Sequence, residues 1–152
     1  MKKLSIILCI ICMAFIFLLS NSTGQVSGIK SYEASDVVMN SYAKVFSGEL
    51  NKEKVNQILR KNAHGVEYLV LALLVSNAVF LNLKKGKASI VDILFVCLFY
   101  AVTDEFHQSF VPGRTSRVSD ILIDFLGAVI GMGIYYFFYY KLYTEIIKRR
   151  IR

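Results

Sequence analysis

The chain has 152 residues, of which 55% are hydrophobic and 19% are charged. It is too short for two large domains and too apolar for an ordinary soluble one, so we expect a single membrane domain over residues 1–152. The net charge of +7 lies in short clusters beside apolar runs. That pattern is typical of membrane orientation and argues against nucleic acid as a partner.

The first apolar run follows Lys2 and Lys3 and stays uncharged to Leu19. A cleaved signal peptide and a retained helix both fit such a run. A cleavable peptide normally ends in small residues of the A-x-A kind, which the polar stretch 20–22 matches poorly, so we expect a retained spanning helix at about 4–20. Ser20 could join a polar pocket at this helix end, although a plain polar exit from the membrane is the simpler interpretation.

Residues 21–62 are polar, mixed in charge and free of any spanning run, which predicts an external loop. Val38, Tyr42 and Val45 follow one another at helical spacing. They predict a short amphipathic helix that lies against the membrane surface or the bundle and ends near Gly48.

Three later apolar runs predict spanning helices at about 63–83, 88–107 and 120–140. The last of them contains three glycines that would allow close helix approach, Gly127, Gly131 and Gly133. The predicted fold is therefore all-α, an integral membrane bundle of four transmembrane helices. The three cysteines lie in apolar runs with no CxxC pairing, so we interpret them as lipid-facing or core-facing side chains: Cys9, Cys12 and Cys97.

The distribution of lysine and arginine predicts the orientation of the bundle. With the amino terminus inside, the cytoplasmic segments carry many basic residues and a single acid, Glu145, whereas basic and acidic residues nearly balance in the external segments. Four tyrosines near the inner end of the last helix are typical of an interfacial aromatic belt: Tyr135, Tyr136, Tyr139 and Tyr140. Both observations favour an N-in/C-in arrangement.

In this arrangement the ionisable residues at membrane depth converge on the outer helix ends. Residues three or four apart share a helix face, which pairs His64 with Glu67 and Asp104 with His107. A charged residue at the centre of a membrane helix costs about 2.5–3.5 kcal/mol on insertion scales, so such a set is expected to be paired or to have a task. The ligand-binding candidates are Arg60, Lys61, His64, Glu67, Asp104, Glu105, His107, Gln108, Arg114, Arg117, Asp120 and Asp124.

Four interpretations of this cluster stay open. It could be an ion-pair and hydrogen-bond network that only fixes the packing of the helix ends. It could be a recognition pocket in which arginines hold a phosphate, a carboxylate or a pyrophosphate. It could carry hydrolytic or transfer chemistry, or it could be a proton or ion path. The catalytic candidates are Glu67, Asp104, Glu105 and His107, and binding is favoured over catalysis.

Metal ligation is only weakly indicated. His64, Glu67 and His107 belong to four-residue patterns that are common by chance, so no metal and no other cofactor is predicted.

Several motifs taken together resemble the VanZ-like family. The segment from Arg60 to Tyr68 reads RKNAHGVEY and the segment from Asp104 to Arg114 reads DEFHQSFVPGR, and they are followed by Ser119-Asp120, Asp124 and Gly127. The resemblance covers the second to the fourth predicted helix in order. The combination is far more specific than any of its parts.

The resemblance implies a multi-pass protein of the bacterial cytoplasmic membrane, in a family whose founding member is associated with resistance to the glycopeptide teicoplanin. The partners it suggests are the lipid bilayer and either a glycopeptide antibiotic or a lipid-linked cell-wall precursor. We therefore expect a contribution to glycopeptide resistance or to envelope physiology, through an outward-facing pocket that recognises an anionic amphiphile. A membrane-embedded hydrolase or transferase and a purely structural network remain the alternatives.

Overall fold

The computed structural model describes residues 2–22, 31–39, 51–82 and 87–151, with the backbone alone at 82, 87–88 and 142–151. Four long helices are present: α1 (Lys2–Ser20), α3 (Lys52–Asn82), α4 (Lys87–Gln108) and α5 (Val118–Ile151). A short helix, α2, covers residues 31–39. The described ranges contain no strand, so the all-α prediction is confirmed.

Three of these helices are long and apolar enough to span a membrane: α1, α3 as far as Leu81 and α5 as far as Lys141. Helix α4 is 22 residues long, but it carries Asp92, Asp104 and Glu105. Over its described residues it is not apolar enough to be counted with these three helices. Four spans and an N-in/C-in orientation therefore remain predictions.

Helix α3 begins at Lys52, before the position near residue 63 where the second spanning helix is predicted to start, so part of the predicted external segment is helical. The Asn51 side chain accepts a hydrogen bond from the backbone N–H of Lys54 at 3.1 Å, which is an N-cap. The negative charge of Glu53 in the first turn also interacts favourably with the helix dipole. Residues 52–62 thus form a polar helical extension of the predicted spanning segment.

Two other boundaries also differ from the predictions. Helix α5 continues to Ile151, well past residue 140. A helix is present at 31–39, close to the expected amphipathic one, whereas the predicted Tyr42, Val45 and Gly48 lie outside the described residues.

Helix α3 is the centre of the bundle. Its buried residues Tyr68, Leu71, Ala72 and Val75 fall at helical spacing on one face. They belong to a core that α1, α4 and α5 complete with Cys9, Ile16, Ile93, Cys97, Ala101 and Ala128. The core-facing interpretation is thus confirmed for Cys9 and Cys97.

Helices α3 and α5 form the most extensive interface of the bundle. A Cβ added at Gly127 would overlap the carbonyl oxygen of Gly65, and one at Gly131 would overlap that of Leu69. A Cβ at Gly133 would meet nothing within 4 Å. Close helix approach is therefore confirmed at two of the three glycines and is wrong for Gly133.

Three of the four tyrosines predicted to form an interfacial aromatic belt pack against α3. Their rings surround Phe80, with centroid distances of 5.4 Å for Tyr135, 6.1 Å for Tyr136 and 4.8 Å for Tyr139. The Tyr135 hydroxyl also donates to Asn77 Oδ1 at 3.4 Å. Aromatic rings packed edge to face stabilise a fold by more than the burial of their apolar area alone.

Large apolar side chains cover the outside of the bundle. On α4, Phe95 is 66% exposed and Phe106 is 67% exposed, and Leu122 on α5 is 63% exposed. Such a surface is unfavourable in water and is expected where a bilayer surrounds the helices. The polar end of the bundle is where α1 and α4 end, where α5 begins and where the first half of α3 passes.

Candidate functional site

The end of α1 is joined to the end of α4 by buried hydrogen bonds. The Ser20 hydroxyl donates to Asp104 Oδ2 at 2.8 Å, and Gln108 Nε2 donates to the same carboxylate oxygen at 2.9 Å and to Ser20 Oγ at 3.2 Å. All three side chains are at most 3% exposed. Asp104 is therefore held by its own chain, and Ser20 belongs to the site rather than to a plain helix exit.

Arg114 closes the open carboxyl end of α1. Its Nε donates to the carbonyl of Ser22 at 3.1 Å, its Nη2 to the carbonyl of Leu19 at 3.0 Å and its Nη1 to Gln108 Oε1 at 3.0 Å. The last carbonyls of a helix have no partner within the helix, and a cation there also complements the helix dipole. The planar guanidinium is shaped for such simultaneous contacts.

The charges around Arg114 act in both directions. Burial and the nearby Arg60 lower the pKa of the guanidinium, whereas Asp104, Glu105 and Glu67 raise it. Arginine keeps its proton in proteins despite such shifts. Arg114 is thus a fixed positive charge between the end of α1 and the acidic residues.

Glu105 holds the segment that leads into α5. Its Oε2 accepts the backbone N–H of Arg117 at 3.0 Å, and the Ser116 side chain adds a second hydrogen bond. The carboxylate is 1% exposed and lies next to the amino end of α5, which begins at Val118. An anion at a helix amino terminus is electrostatically favourable, so Glu105 has a structural task there.

Two adjoining cavities open at this end of the bundle. Cavity 1 has a volume of about 180 Å³ and lies between α3, the segment before α5 and the first turns of α5. Its walls are formed by Gln57, Arg60, Lys61, His64, Gln108, Arg114, Thr115, Arg117, Asp120 and Ile123. Four of these ten residues are lysine or arginine and one is an acid, so the wall of the cavity carries a net positive charge.

Cavity 2 has a volume of about 250 Å³ and lies between the end of α1, α2 and α3. Its surface is mainly apolar, although several polar residues take part in its walls. The lining residues are Leu19, Ser20, Ser22, Ser31, Ala34, Leu59, Arg60, Ala63, His64, Glu67 and Arg114. Arg60, His64 and Arg114 line both cavities and mark their junction.

His64 stands in front of two carboxylates. Its Nδ1 lies 3.8 Å from Asp124 Oδ1 and 4.0 Å from Glu67 Oε2, so it is near both but hydrogen-bonded to neither. The HxxE spacing therefore does bring His64 and Glu67 onto one face, and α5 adds Asp124 behind them.

Asp124 is fully buried, and neither of its carboxylate oxygens has a hydrogen-bond partner among the described residues. The Tyr68 hydroxyl, His64 Nδ1 and Asp104 Oδ1 are likewise buried without a partner. Leaving such a group unpaired typically costs about 1–3 kcal/mol. The polar floor beneath the cavities is therefore not fully satisfied by the described part of the chain.

His107 lies apart from both cavities. Its ring packs against Phe17 of α1 at a centroid distance of 4.5 Å, and its Nε2 is buried with no hydrogen-bond partner in the described part of the chain. No group of three or more histidine, cysteine, aspartate or glutamate side chains is arranged to hold a metal ion within the described ranges. His64, Glu67 and His107 thus do not form a common ligand set there.

Of the twelve predicted ligand-binding residues, eight line a cavity: Arg60, Lys61, His64, Glu67, Gln108, Arg114, Arg117 and Asp120. Asp104, Glu105 and Asp124 lie beneath the cavity walls, in contact with other parts of the bundle. Sequence reasoning missed the small uncharged wall residues, such as Ala34 and Ala63, because nothing in their residue type or spacing points to a site.

The two buried aspartates should respond differently to loss of their charge. We expect Asp104→Asn to lower the free energy of unfolding by about 1–3 kcal/mol, because it weakens two hydrogen bonds to a carboxylate. Asp124→Asn should leave stability unchanged or raise it, since Asp124 accepts no hydrogen bond from the described residues. Thermal unfolding of the two purified variants in the same detergent checks this, and equal losses would contradict it.

Comparison with known proteins adds one match. A family model described as VanZ/LLP1 matches residues 5–139, which is most of the chain. Neither a curated protein nor a solved structure matches the chain significantly. The match includes both long motifs and all the residues that line the two cavities. It also includes the four predicted ligand-binding residues that line neither cavity, Asp104, Glu105, His107 and Asp124.

Proposed function

Since the chain belongs to the VanZ/LLP1 family, we propose that it is a multi-pass protein of the bacterial cytoplasmic membrane that recognises an anionic amphiphile at the outer face. In this proposal the chain spans the bilayer four times with both ends inside, so that the cavities open outward. Recognition of a glycopeptide or of a lipid-linked cell-wall precursor would connect the protein to teicoplanin resistance or to envelope physiology.

The cationic wall of cavity 1 carries this proposal. Arg60, Lys61 and Arg117 line it and are exposed, and none of the three forms an ion pair with an acid of the described ranges. Like charges placed together without acidic partners repel one another, and a bound anion would relieve that repulsion. A phosphate, a pyrophosphate or a carboxylate has the required charge and accepts hydrogen bonds from lysine and arginine.

The geometry changes the role that we assign to Arg114. The hydrogen bonds to the end of α1 and to Gln108 use one N–H of each of its three nitrogens. It contributes positive charge to the junction of the cavities, but its main task is to hold the end of α1. The anion contacts that we propose are therefore Arg60, Lys61 and Arg117, with His64 beside them.

A comparison of charge-neutralising variants tests the proposal. We expect cells that express the wild-type protein to gain protection against teicoplanin, and we expect Lys61→Gln combined with Arg117→Gln to lose most of it. Lys54→Gln is the matched control, because Lys54 lies on the same helix, is exposed and lines neither cavity. The measurement is the minimum inhibitory concentration of teicoplanin and of vancomycin, with the membrane abundance of each variant determined in parallel.

Each outcome of this experiment has a defined meaning. Protection that is lost in an abundant double variant and kept in Lys54→Gln supports an anion site in cavity 1. Equal protection by all three proteins would contradict that site. A wild-type protein that gives no protection would remove teicoplanin resistance from the proposal.

A further inference from the structure

We propose that the two cavities bind one molecule, with its anionic headgroup in cavity 1 and the first part of an apolar chain in cavity 2. The ligand class is a phosphate ester of a long-chain alcohol or a similar anionic lipid. This inference rests on the proposed function, because it assigns a place to the apolar part of the amphiphile.

The surfaces of the two cavities differ in polarity. Cavity 1 has polar and apolar surface in nearly equal parts and four cationic side chains, whereas the surface of cavity 2 is mainly apolar. Leu19, Leu59, Ala34 and Ala63 supply apolar wall from three different helices. Concave apolar surface gains from contact with an apolar occupant.

The two cavities are also adjacent to each other. Arg60, His64 and Arg114 line both cavities, so the cavities adjoin at these three side chains. A headgroup that contacts Arg60 in cavity 1 is therefore next to the entrance of cavity 2. An amphiphile has its charge and its apolar chain joined in the same order.

Two of the polar side chains in the wall of cavity 2 already form hydrogen bonds within the protein. The Ser20 hydroxyl is occupied by Asp104 and Gln108, and Arg114 is occupied by α1 and Gln108. Glu67 lies 4.0 Å from His64, which places it towards the junction of the cavities. The remaining wall, between Leu19, Ala34 and Ala63, is where an apolar chain would contact the protein.

Small residues keep cavity 2 open. Helix α2 lies beside α3 through the ion pair between Lys52 and Asp36, and it faces the cavity with Ser31 and Ala34. Ala63 faces it from α3. A large side chain at position 34 or 63 would occupy the volume that we assign to the ligand chain.

Soluble phosphate monoesters test the inference. The full chain is reconstituted in phosphatidylcholine nanodiscs and titrated calorimetrically with methyl phosphate and with n-hexyl phosphate, which carry the same headgroup. Burying one methylene group is worth roughly a fourfold gain in affinity. We expect hexyl phosphate to bind the wild-type protein at least tenfold more tightly than methyl phosphate, after correction for its partition into empty nanodiscs.

The variants locate the chain. Ala63→Trp should remove the preference for hexyl phosphate and leave the affinity for methyl phosphate unchanged, and Ala34→Trp provides the same test from α2. Val66→Trp is the matched control, since Val66 lies on α3, is 58% exposed and lines neither cavity. It should keep the preference.

The possible failures are distinguishable. Two results would overturn the assignment of cavity 2 and leave anion recognition intact. One is equal affinity of the wild-type protein for both esters, and the other is a preference for hexyl phosphate that survives in both Ala34→Trp and Ala63→Trp. If neither ester binds the folded wild-type protein, anion recognition in cavity 1 fails as well. Loss of methyl phosphate binding in Lys61→Gln but not in Lys54→Gln would place the headgroup where we propose.

Discussion

Replacing Gly127 with alanine is expected to lower the stability of the folded bundle more than any other single methyl group added to α5. The new Cβ would overlap the carbonyl oxygen of Gly65 on α3. Overpacking of a core typically costs about 1–3 kcal/mol. The obstacle here is the backbone of a helix, which cannot rotate away as a side chain can, so we expect the upper part of that range.

Gly131→Ala should behave in the same way, because its Cβ would overlap the carbonyl oxygen of Leu69. The two positions are one helical turn apart on the same face of α5. Combining the substitutions should separate α5 from the half of α3 that carries Arg60, His64 and Glu67. We therefore expect the double variant to lose ligand binding together with stability.

The matched control is Gly133→Ala. Its Cβ meets nothing within 4 Å, so the only expected effect is the better helix propensity of alanine, worth about 0.8–1.0 kcal/mol in favour of the folded state. The measurements are the thermal unfolding midpoint in detergent and the abundance in membranes. A Gly127→Ala protein as stable and abundant as Gly133→Ala would show that α3 and α5 do not approach each other as described.

The same glycines show what the sequence could predict and what it could not. Three small residues on one apolar helix are a known means of close packing, so the prediction itself was reasonable for all three. Which of them faces a partner depends on how α5 is rotated against α3, and the apolar pattern of α5 does not fix that rotation. Gly133 consequently resembles Gly127 and Gly131 in sequence but not in surroundings.

The start of α3 was missed for a related reason. Hydropathy identifies the part of a helix that lies in the membrane, and it is silent on a polar helical extension such as 52–62. The signals that were present are local: Asn51 as an N-cap and Glu53 in the first turn. They indicate a helix start without indicating that it continues into the apolar run.

The candidate site could be predicted as a set of residues but not as a set of roles. Helical spacing places His64 beside Glu67, and the structure agrees. The hydrogen bonds that define the tasks of Asp104 and Arg114 join residues 84 and 95 positions apart in the chain. No local pattern contains such partners, so the sequence does not reveal that three N–H groups of Arg114 bind the end of α1 and Gln108.

That difference leads to the second prediction of large effect, which compares two arginines of the same segment. Arg114→Ala removes three hydrogen bonds, so the Ser22 carbonyl and Gln108 Oε1 lose the guanidinium donor and the Leu19 carbonyl keeps only the backbone N–H of Ser22. Hydrogen bonds to a charged group are worth about 1.5–3 kcal/mol each but do not add, so we expect a loss of roughly 2–4 kcal/mol in the free energy of unfolding. Arg114→Lys should recover only part of it, because one ammonium group cannot reach all three acceptors.

Arg117→Ala is the matched variant, and it should have the opposite profile. The contact of Arg117 with Glu105 is made by its backbone N–H, which alanine retains, while its exposed side chain lines cavity 1. We expect an unchanged unfolding midpoint and weaker binding of methyl phosphate. Thermal unfolding and calorimetric titration of both variants in the same nanodiscs separate the two roles. An Arg114→Ala protein that unfolds like the wild type and fails only in binding would return Arg114 to the ligand, and it would mean that α1 is held in place by Ser20 and Asp104 without it.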